Sequence, residues 1–265
     1  MVDHFQLGNY EIQSRDENTT LLLIKGHRKY YSILCDAFPE YRFSIQFADV
    51  RKRFDWGTYI YGLMEKEPLT KLIDMMKKVV CIDIENALEM TFALGYHTDR
   101  GKGKTTMGEV VYKAKPYHNS PTSSSIRHAN ILAEWYCSFM RRHPAYARAD
   151  YVLSVPARAG KSFDLPNHIV EVICRELGIA NGAGLVYRAR ETRPMKDLKT
   201  QWAKTENMRD AFAVNTGVSL VGKSVVVIDD ICQSGITLHQ MAVPLQSTGA
   251  TVFGLVATKT LSDPQ

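Results

Sequence analysis

Ser224–Ile228 reads Ser-Val-Val-Val-Ile, a nearly pure β-branched run followed at once by two adjacent carboxylates, Asp229 and Asp230. A run without a polar face is a strand buried on both sides, as in a parallel sheet covered by helices. The neighbouring segments fit the same plan. Tyr151–Val155 is a short apolar run closed by Pro156, Gly184–Tyr187 a second short strand, and Thr251–Ala257 another buried one. Between them, Leu165, Ile169, Val172, Ile173 and Leu177 recur at helical spacing, with Gly178 as the stop signal. Leu238, Met241, Ala242 and Leu245 give a further helix. Ile131, Leu132, Trp135, Phe139 and Met140 mark one more, ending near Arg141–Arg142. Strands alternating with helices imply an α/β domain with a parallel, Rossmann-like sheet and right-handed crossovers.

The N-terminal part is less regular. It mixes strand-like runs (Leu21–Ile24, and Phe43, Ile45 and Phe47 in alternation) with a helical pattern at Leu69, Leu72, Ile73 and Met76. Gly101–Gly108 (GKGKTTMG) and Ser120–Ser125 (SPTSSS) read as loops. The first is taken as the boundary between an N-terminal α+β module, residues 1–108, and the α/β domain, residues 109–265. Gly103-Lys104-Thr105 imitates the end of a phosphate-binding P-loop, but that pattern needs a glycine where the chain has Thr98.

Charge divides unevenly between the two parts. Residues 1–110 hold 15 basic and 16 acidic side chains, whereas residues 111–265 hold 18 and 12. An excess of this kind suits a phosphorylated ligand or nucleic acid, and also a merely solvated surface. The five scattered cysteines, without a C-x-x-C pair, exclude a disulfide framework and a zinc ribbon and fit a reducing compartment. The eight histidines show no ligand spacing. The apolar runs are too short for a membrane span, and Met1 is followed by Asp3 and His4 without a signal-peptide pattern. A cytoplasmic protein is the expectation.

Val225–Thr237, VVVIDDICQSGIT, holds the chemistry. In parallel α/β sheets ligands bind at the carboxyl ends of strands. Here a buried strand runs into Asp229-Asp230, and the small loop Gln233-Ser234-Gly235-Ile236-Thr237 opens a helix. Free amides at a helix N-terminus suit a phosphate. Two carboxylates beside an anion site suit sugar hydroxyls or a hydrated divalent cation instead. A phosphate next to a diol and a metal describes a ribose 5-phosphate. The bland alternative is an Asp-Asp at any strand end, with Ser234 merely capping the helix.

The segment resembles the phosphoribosyl-diphosphate signature of the type I phosphoribosyltransferases, with Cys232 and Gln233 in place of the usual aliphatic and small residues. Tyr112–Lys115, the Val155-Pro156 loop, Tyr187–Arg190 and Thr205–Phe212 extend the resemblance toward the ComF-type branch, over roughly residues 110–260. That branch usually begins with a cysteine-rich zinc module, which residues 1–110, with only Cys35 and Cys81, do not reproduce. The resemblance implies that Asp229 and Asp230 bind the ribose hydroxyls while Gln233, Ser234, Gly235, Ile236 and Thr237 wrap the 5-phosphate. By position, Pro156–Lys161 matches the family's diphosphate loop, with Arg158 as a bidentate contact and Lys161 as a point charge. The basic stretch from Arg188 to Arg209 matches the flexible loop, and Arg188 and Lys204 are its candidate ligand contacts. Trp202, in the same stretch, suits either base stacking or loop anchoring.

The implied reaction is displacement of diphosphate from ribose C1 by a nitrogen nucleophile, a nucleobase or related amine. Magnesium would enter with phosphoribosyl diphosphate, held by the ligand and in part by Asp229 and Asp230. The competing reading is a non-catalytic module that senses the sugar phosphate, as a regulator or a retron-type phage-defence effector with a nucleic-acid or protein partner. Both readings admit a homo-oligomer and neither involves a membrane.

Overall fold

The computed structural model describes residues 3–49, 52–84, 87–116, 120–158, 163–215 and 217–261. The chain first runs through β1 (Asp3–Phe5), β2 (Tyr10–Ser14), β3 (Thr19–Ile24), α1 (Lys29–Ala37), β4 (Arg42–Phe43) and β5 (Trp56–Tyr61). Next come α2 (Lys66–Met76), β6 (Val80–Asp83), β7 (Met90–Tyr96) and the small hairpin β8 (Thr98–Asp99) and β9 (Gly103–Lys104). Helices α3 (Thr106–Ala114), α4 (Ser123–Arg142) and α5 (Pro144–Ala147) follow. The remainder is β10 (Tyr151–Ser154), α6 (Leu165–Leu177), β11 (Ala180–Asn181), β12 (Val186–Arg188), α7 (Gln201–Met208), β13 (Phe212–Val214), β14 (Ser224–Cys232), α8 (Ile236–Ser247) and β15 (Thr251–Lys259).

The main sheet has the order β1-β6-β7-β15-β14-β10-β11. Its five strands from β7 to β11 are mutually parallel, and β6 and β1 extend it antiparallel at the β7 edge. The α/β expectation holds. The β-branched run explains why β14 sits at the centre. Val226 and Ile228 pack on one face with α3, α4 and α6, and Val225 and Val227 pack on the other with α8. A strand covered on both sides has no position that tolerates a polar residue until it leaves the covered zone. It leaves that zone at Asp229.

The boundary expected at residue 108 is not a boundary of the sheet. Strands β1, β6 and β7 come from before it, and β7 is laddered to β15 over Phe253↔Met90 to Lys259↔Tyr96. Apart from the main sheet stand the four-stranded antiparallel sheet β2-β3-β5-β4 and the small two-stranded sheets β8-β9 and β12-β13. The strand expected at Gly184–Tyr187 is β12, which pairs antiparallel with β13 and does not join the parallel sheet. The alternation at Phe43, Ile45 and Phe47 yields only the two-residue β4 and one bridge, Phe47↔Gly57, and Ile45 is 88% exposed. The stretch 101–108 is no simple loop either. Thr105 caps α3, its hydroxyl accepting from the Gly108 amide and donating to the Tyr96 carbonyl. Gly108 lies so close to β7 that a Cβ there would meet the His97 carbonyl oxygen at 2.0 Å. The P-loop look-alike is thus the hinge that pins α3 to the end of β7.

Connection order makes the crevice. From β10 the chain crosses by α6 to β11 on one side, and from β14 it crosses by α8 to β15 on the other, over the opposite face. Between β10 and β14 the winding reverses, and the loops after these two strands part. That topological switch point is where an open α/β sheet admits a ligand.

Candidate functional site

Strand β14 runs four residues past its last ladder partner on β10, Ser154↔Ile228, while its other edge stays paired to β15 as far as Cys232↔Lys259. Asp229 and Asp230 therefore stand on a half-open stretch, supported from one side and free toward the crevice. The strand includes both carboxylates instead of ending before them. Strand alternation turns the two apart. Asp230 has the parity of Val226 and Ile228 and pairs with Lys115, the residue closing α3, at 2.6 Å. Asp229 has the parity of Val225 and Val227, and its Oδ1 accepts the Asp230 amide at 2.9 Å. The Tyr136 hydroxyl of α4 donates to the Asp229 carbonyl at 2.6 Å. Burial, then the adjacent Asp230 charge, push the Asp229 carboxyl well above the ordinary carboxylate range.

The loop Gln233–Thr237 has the backbone its sequence requires. Gly235 is the residue before α8 and adopts φ +74°, a left-handed conformation open to glycine at little cost. No side chain caps α8. Ser234 is therefore not an N-cap. The first-turn amides of a twelve-residue helix instead face the loop with no side-chain acceptor. A cavity of about 270 Å3 adjoins them, lined by Ser234, Gly235 and Ile236, by His239 and Gln240 of α8, and by Gln201 and Thr205 of α7. Asp3 and Asp83 close its far side. Lys204 of α7 reaches the same loop, with Nζ 3.4 Å from the Gln233 side-chain oxygen.

Two arginines meet at the loop after β10. Arg188 donates through Nε to the Pro156 carbonyl at 2.9 Å and through Nη1 to the Thr192 hydroxyl at 3.1 Å, and its guanidinium lies over Phe212 at 4.9 Å. Burial and then the charge of Arg158 lower its pKa. Arg158 is more exposed and donates to the Arg193 carbonyl at 2.5 Å. No carboxylate among the described residues forms an ion pair with either. Lys161 lies outside the described residues. Further along the basic stretch, Arg190 donates to the carbonyls of Glu206, Asn207 and Arg209 and so serves the end of α7. Trp202 of α7 is 74% exposed and anchors nothing in the core.

Sequence reasoning named Asp229, Asp230, Arg158, Arg188, Lys204 and the loop 233–237; these lie at the carboxyl end of the sheet, and of them only Ser234, Gly235 and Ile236 line the cavity beside α8. It passed over three other residues there. Lys115 appeared only within Tyr112–Lys115, although it is the direct partner of Asp230. His97, just past β7, contacts the Thr258 hydroxyl through Nδ1 at 3.2 Å. Burial, then Lys115 and Lys104, keep its pKa below the ordinary value, so the imidazole is neutral near pH 7. Lys259, the last residue of β15, donates to the Gln233 carbonyl at 3.0 Å.

Among solved structures, the chain is similar to phosphoribosyltransferases and to an enzyme of purine synthesis. One is an allosteric regulatory enzyme of purine biosynthesis, at 15% identity and a TM-score of 0.37, with 91% of this chain and 45% of that chain covered. Another is the adenine phosphoribosyltransferase of Leishmania tarentolae, at 15% identity and 0.37, with 64% and 91% covered. A third is the adenine phosphoribosyltransferase of Trypanosoma brucei in complex with AMP, pyrophosphate and ribose 5-phosphate, at 14% identity and 0.37, with 65% and 85% covered. The chain thus spans less than half the length of the first. No protein-family profile matches the chain, and no curated protein is similar to it. At this identity and TM-score the chemistry has to be read from the chain's own residues. Among the described residues, no helix is long and apolar enough to cross a membrane.

Proposed function

We propose that the chain is a type I phosphoribosyltransferase. It transfers ribose 5-phosphate from phosphoribosyl diphosphate to a nitrogen nucleophile, a nucleobase or related amine, and releases diphosphate. The observation that carries this reading is the convergence at the switch point. Adjacent carboxylates, an uncapped helix start behind a positive-φ glycine, and two guanidiniums without a carboxylate ion pair among the described residues lie at that end of the sheet. The ComF-type affinity is proposed on Tyr112–Lys115 and the residues flanking β12 and β13.

The roles follow from charge and position. The amides of Ser234–Thr237 and the α8 dipole hold the 5-phosphate, with Lys204 above them. Asp230, oriented by its ion pair with Lys115, accepts from one ribose hydroxyl. Asp229, with its raised pKa, meets the other. Arg158 and Arg188 take the diphosphate, whose charge relieves their mutual repulsion. As the C1–O bond breaks, the electron pair leaves with the diphosphate, and these two guanidiniums stabilise the growing charge. The acceptor nitrogen supplies its lone pair to C1. Neutral His97 is an imidazole at this end of the sheet able to accept the proton that nitrogen loses. Most of the acceleration falls to positioning, because the ribosyl transition state has oxocarbenium character.

The residues fit magnesium only as a passenger of the ligand. No cluster of three or more metal-ligating side chains occurs among the described residues. Asp230 is already paired with an ammonium. Magnesium is bound well by one or two carboxylates plus substrate phosphates, and Asp229 and Asp230 can provide that share. When bound, the ion neutralises diphosphate charge. Magnesium alone is therefore expected to leave the melting temperature unchanged, whereas magnesium together with phosphoribosyl diphosphate raises it. A rise with magnesium alone, by calorimetry, would show a protein-held metal and contradict this assignment.

The direct test is catalysis. Purified protein with phosphoribosyl diphosphate, magnesium and a panel of nucleobases and amines is expected to release diphosphate above a protein-free blank. Ligand binding without release for any acceptor would replace the enzyme by a sugar-phosphate-sensing module.

A further inference from the structure

Lys259 is 1% exposed, yet it is a charged residue in a layer of valines and alanines. Its Nζ donates to the carbonyls of Gln233 at 3.0 Å and Thr260 at 2.7 Å. No carboxylate among the described residues pairs with it, and its register partner on β14 is the uncharged Cys232. Burial accordingly lowers its pKa. A buried ammonium facing only carbonyl dipoles is costly, since such charges are normally paired. Its surroundings do not supply the missing negative charge. The loop in front offers amide donors, and Lys204 adds a second cation on the outside.

The contact also sets the direction of one peptide. In a trans peptide the carbonyl and the following N–H point to opposite sides, and no cis peptide occurs among the described residues. With the Gln233 carbonyl drawn inward onto Lys259, the Ser234 N–H is turned outward, toward the loop's mouth. Were that peptide to flip, a carbonyl oxygen would face an arriving phosphate.

We infer that Lys259 is a positioning residue and built-in counter-charge for a phosphate dianion, fixing the Gln233–Ser234 peptide from behind while the ligand supplies the negative charge that the ligand-free fold lacks. This rests on the reading of Gln233–Thr237 as a phosphate loop, and adds that the site is tuned to a doubly charged group.

The test compares ribose 5-phosphate with ribose 5-sulfate, a singly charged analogue, at one pH near 7.5. Wild type is expected to prefer the phosphate. Lys259→Met should fold, with a ligand-free melting temperature at or above that of wild type, because an unpaired buried charge has gone. It should bind ribose 5-phosphate roughly ten- to a hundredfold more weakly, the size expected for losing a charge-assisted contact. The sulfate ester should suffer less, so the phosphate preference shrinks. Lys259→Arg should restore at least part of it. Lys259→Gln, which keeps a donor for the Gln233 carbonyl but no charge, should fall between Met and wild type.

Equal binding by wild type and both neutral variants would overturn the inference. So would a loss of equal size for the phosphate and the sulfate, which marks a structural role. If neither neutral variant folds, the inference also fails, because a charge the empty fold requires is not one awaiting a ligand. Failure of wild type to bind ribose 5-phosphate would instead refute the phosphate-loop reading beneath it.

Discussion

Phosphoribosyl diphosphate with magnesium, at a hundredfold excess over its dissociation constant, is expected to raise the wild-type melting temperature by roughly 5–11 °C, and Gly235→Val to abolish the rise. The stabilisation is mass action on a site that exists only in the folded chain, about 2.7 kcal/mol at that excess. In a chain of this length each kcal/mol moves the transition by roughly 2–4 °C. Gly235 sits at φ +74° at the entrance to α8. A β-branched residue is strained there by roughly 1–3 kcal/mol, so the ligand-free variant melts lower as well. The loop also re-aims its amides, and the response to ligand disappears. Gly235→Asn is the control, because asparagine visits the left-handed region and keeps the backbone course. It should retain a measurable shift.

Asp230→Ala separates the sugar contact from the phosphate contact. It removes the partner of Lys115, whose ammonium is one-third exposed and can turn to water. It also relieves the like charge that raises the Asp229 pKa. The ligand-free melting temperature should hardly change, while most of the ligand shift is lost. Scanning calorimetry on the three variants decides the matter. A full shift retained by Asp230→Ala, or no shift in folded wild type, would show that β14 and its loop are not the binding site.

How far the sequence reached depends on whether a signal is local. The run Ser224–Ile228 announces a central strand because burial on both faces leaves its mark on every residue. Gly178, at φ +69°, ends α6 where its position indicated. The motif 229–237 was legible for the same reason: its parts are consecutive. The membership of β7 in the parallel sheet was not legible, because pairing of Met90–Tyr96 with β15 joins segments more than 150 residues apart, and no periodicity names a distant partner. Helix α3 was lost behind the glycines of GKGKTTMG, although Thr105 followed by Glu109 and two valines carries a start signal. Lys115 and Lys259 each stand alone at an element's end and look like ordinary surface lysines. Only the fold shows that one closes on Asp230 and the other lies buried under Gln233.

His143→Phe is expected to stabilise the protein at neutral pH and to flatten its acid limb. His143 ends α4 and precedes α5, enclosed by Phe92, Phe139 and Tyr146, with ring centroids 5.4, 5.6 and 4.9 Å away. Neither ring nitrogen has a hydrogen-bond partner among the described residues. An unsatisfied buried polar atom costs about 1–3 kcal/mol, so an apolar ring of similar shape should raise the stability at pH 7 by something in that range. Burial also drives the imidazole pKa down to about 3, against roughly 6.5 in the unfolded chain. Between those values the unfolded chain holds a proton that the native state refuses. Stability therefore falls as pH drops below about 6.5, by up to about 1.4 kcal/mol per unit, and this contribution is constant above it. From pH 6.5 to 4.5 the wild type should lose on the order of 2–3 kcal/mol through this residue alone, a loss the variant does not share. Urea unfolding at pH 7.5, 5.5 and 4.5 measures both effects. A variant less stable than wild type at pH 7.5, or one with the same decline toward pH 4.5, would show that the imidazole is satisfied or exposed. The same layer reaches the site through α4. The Tyr146 hydroxyl beside His143 donates to the Gly254 carbonyl of β15 at 2.8 Å, and Tyr136 on α4 holds the Asp229 carbonyl. The folded cage stays neutral down to about pH 3, so the acid limb is one of global unfolding. Ligand binding should persist in both proteins wherever they remain folded, to lower pH in His143→Phe because it stays folded longer.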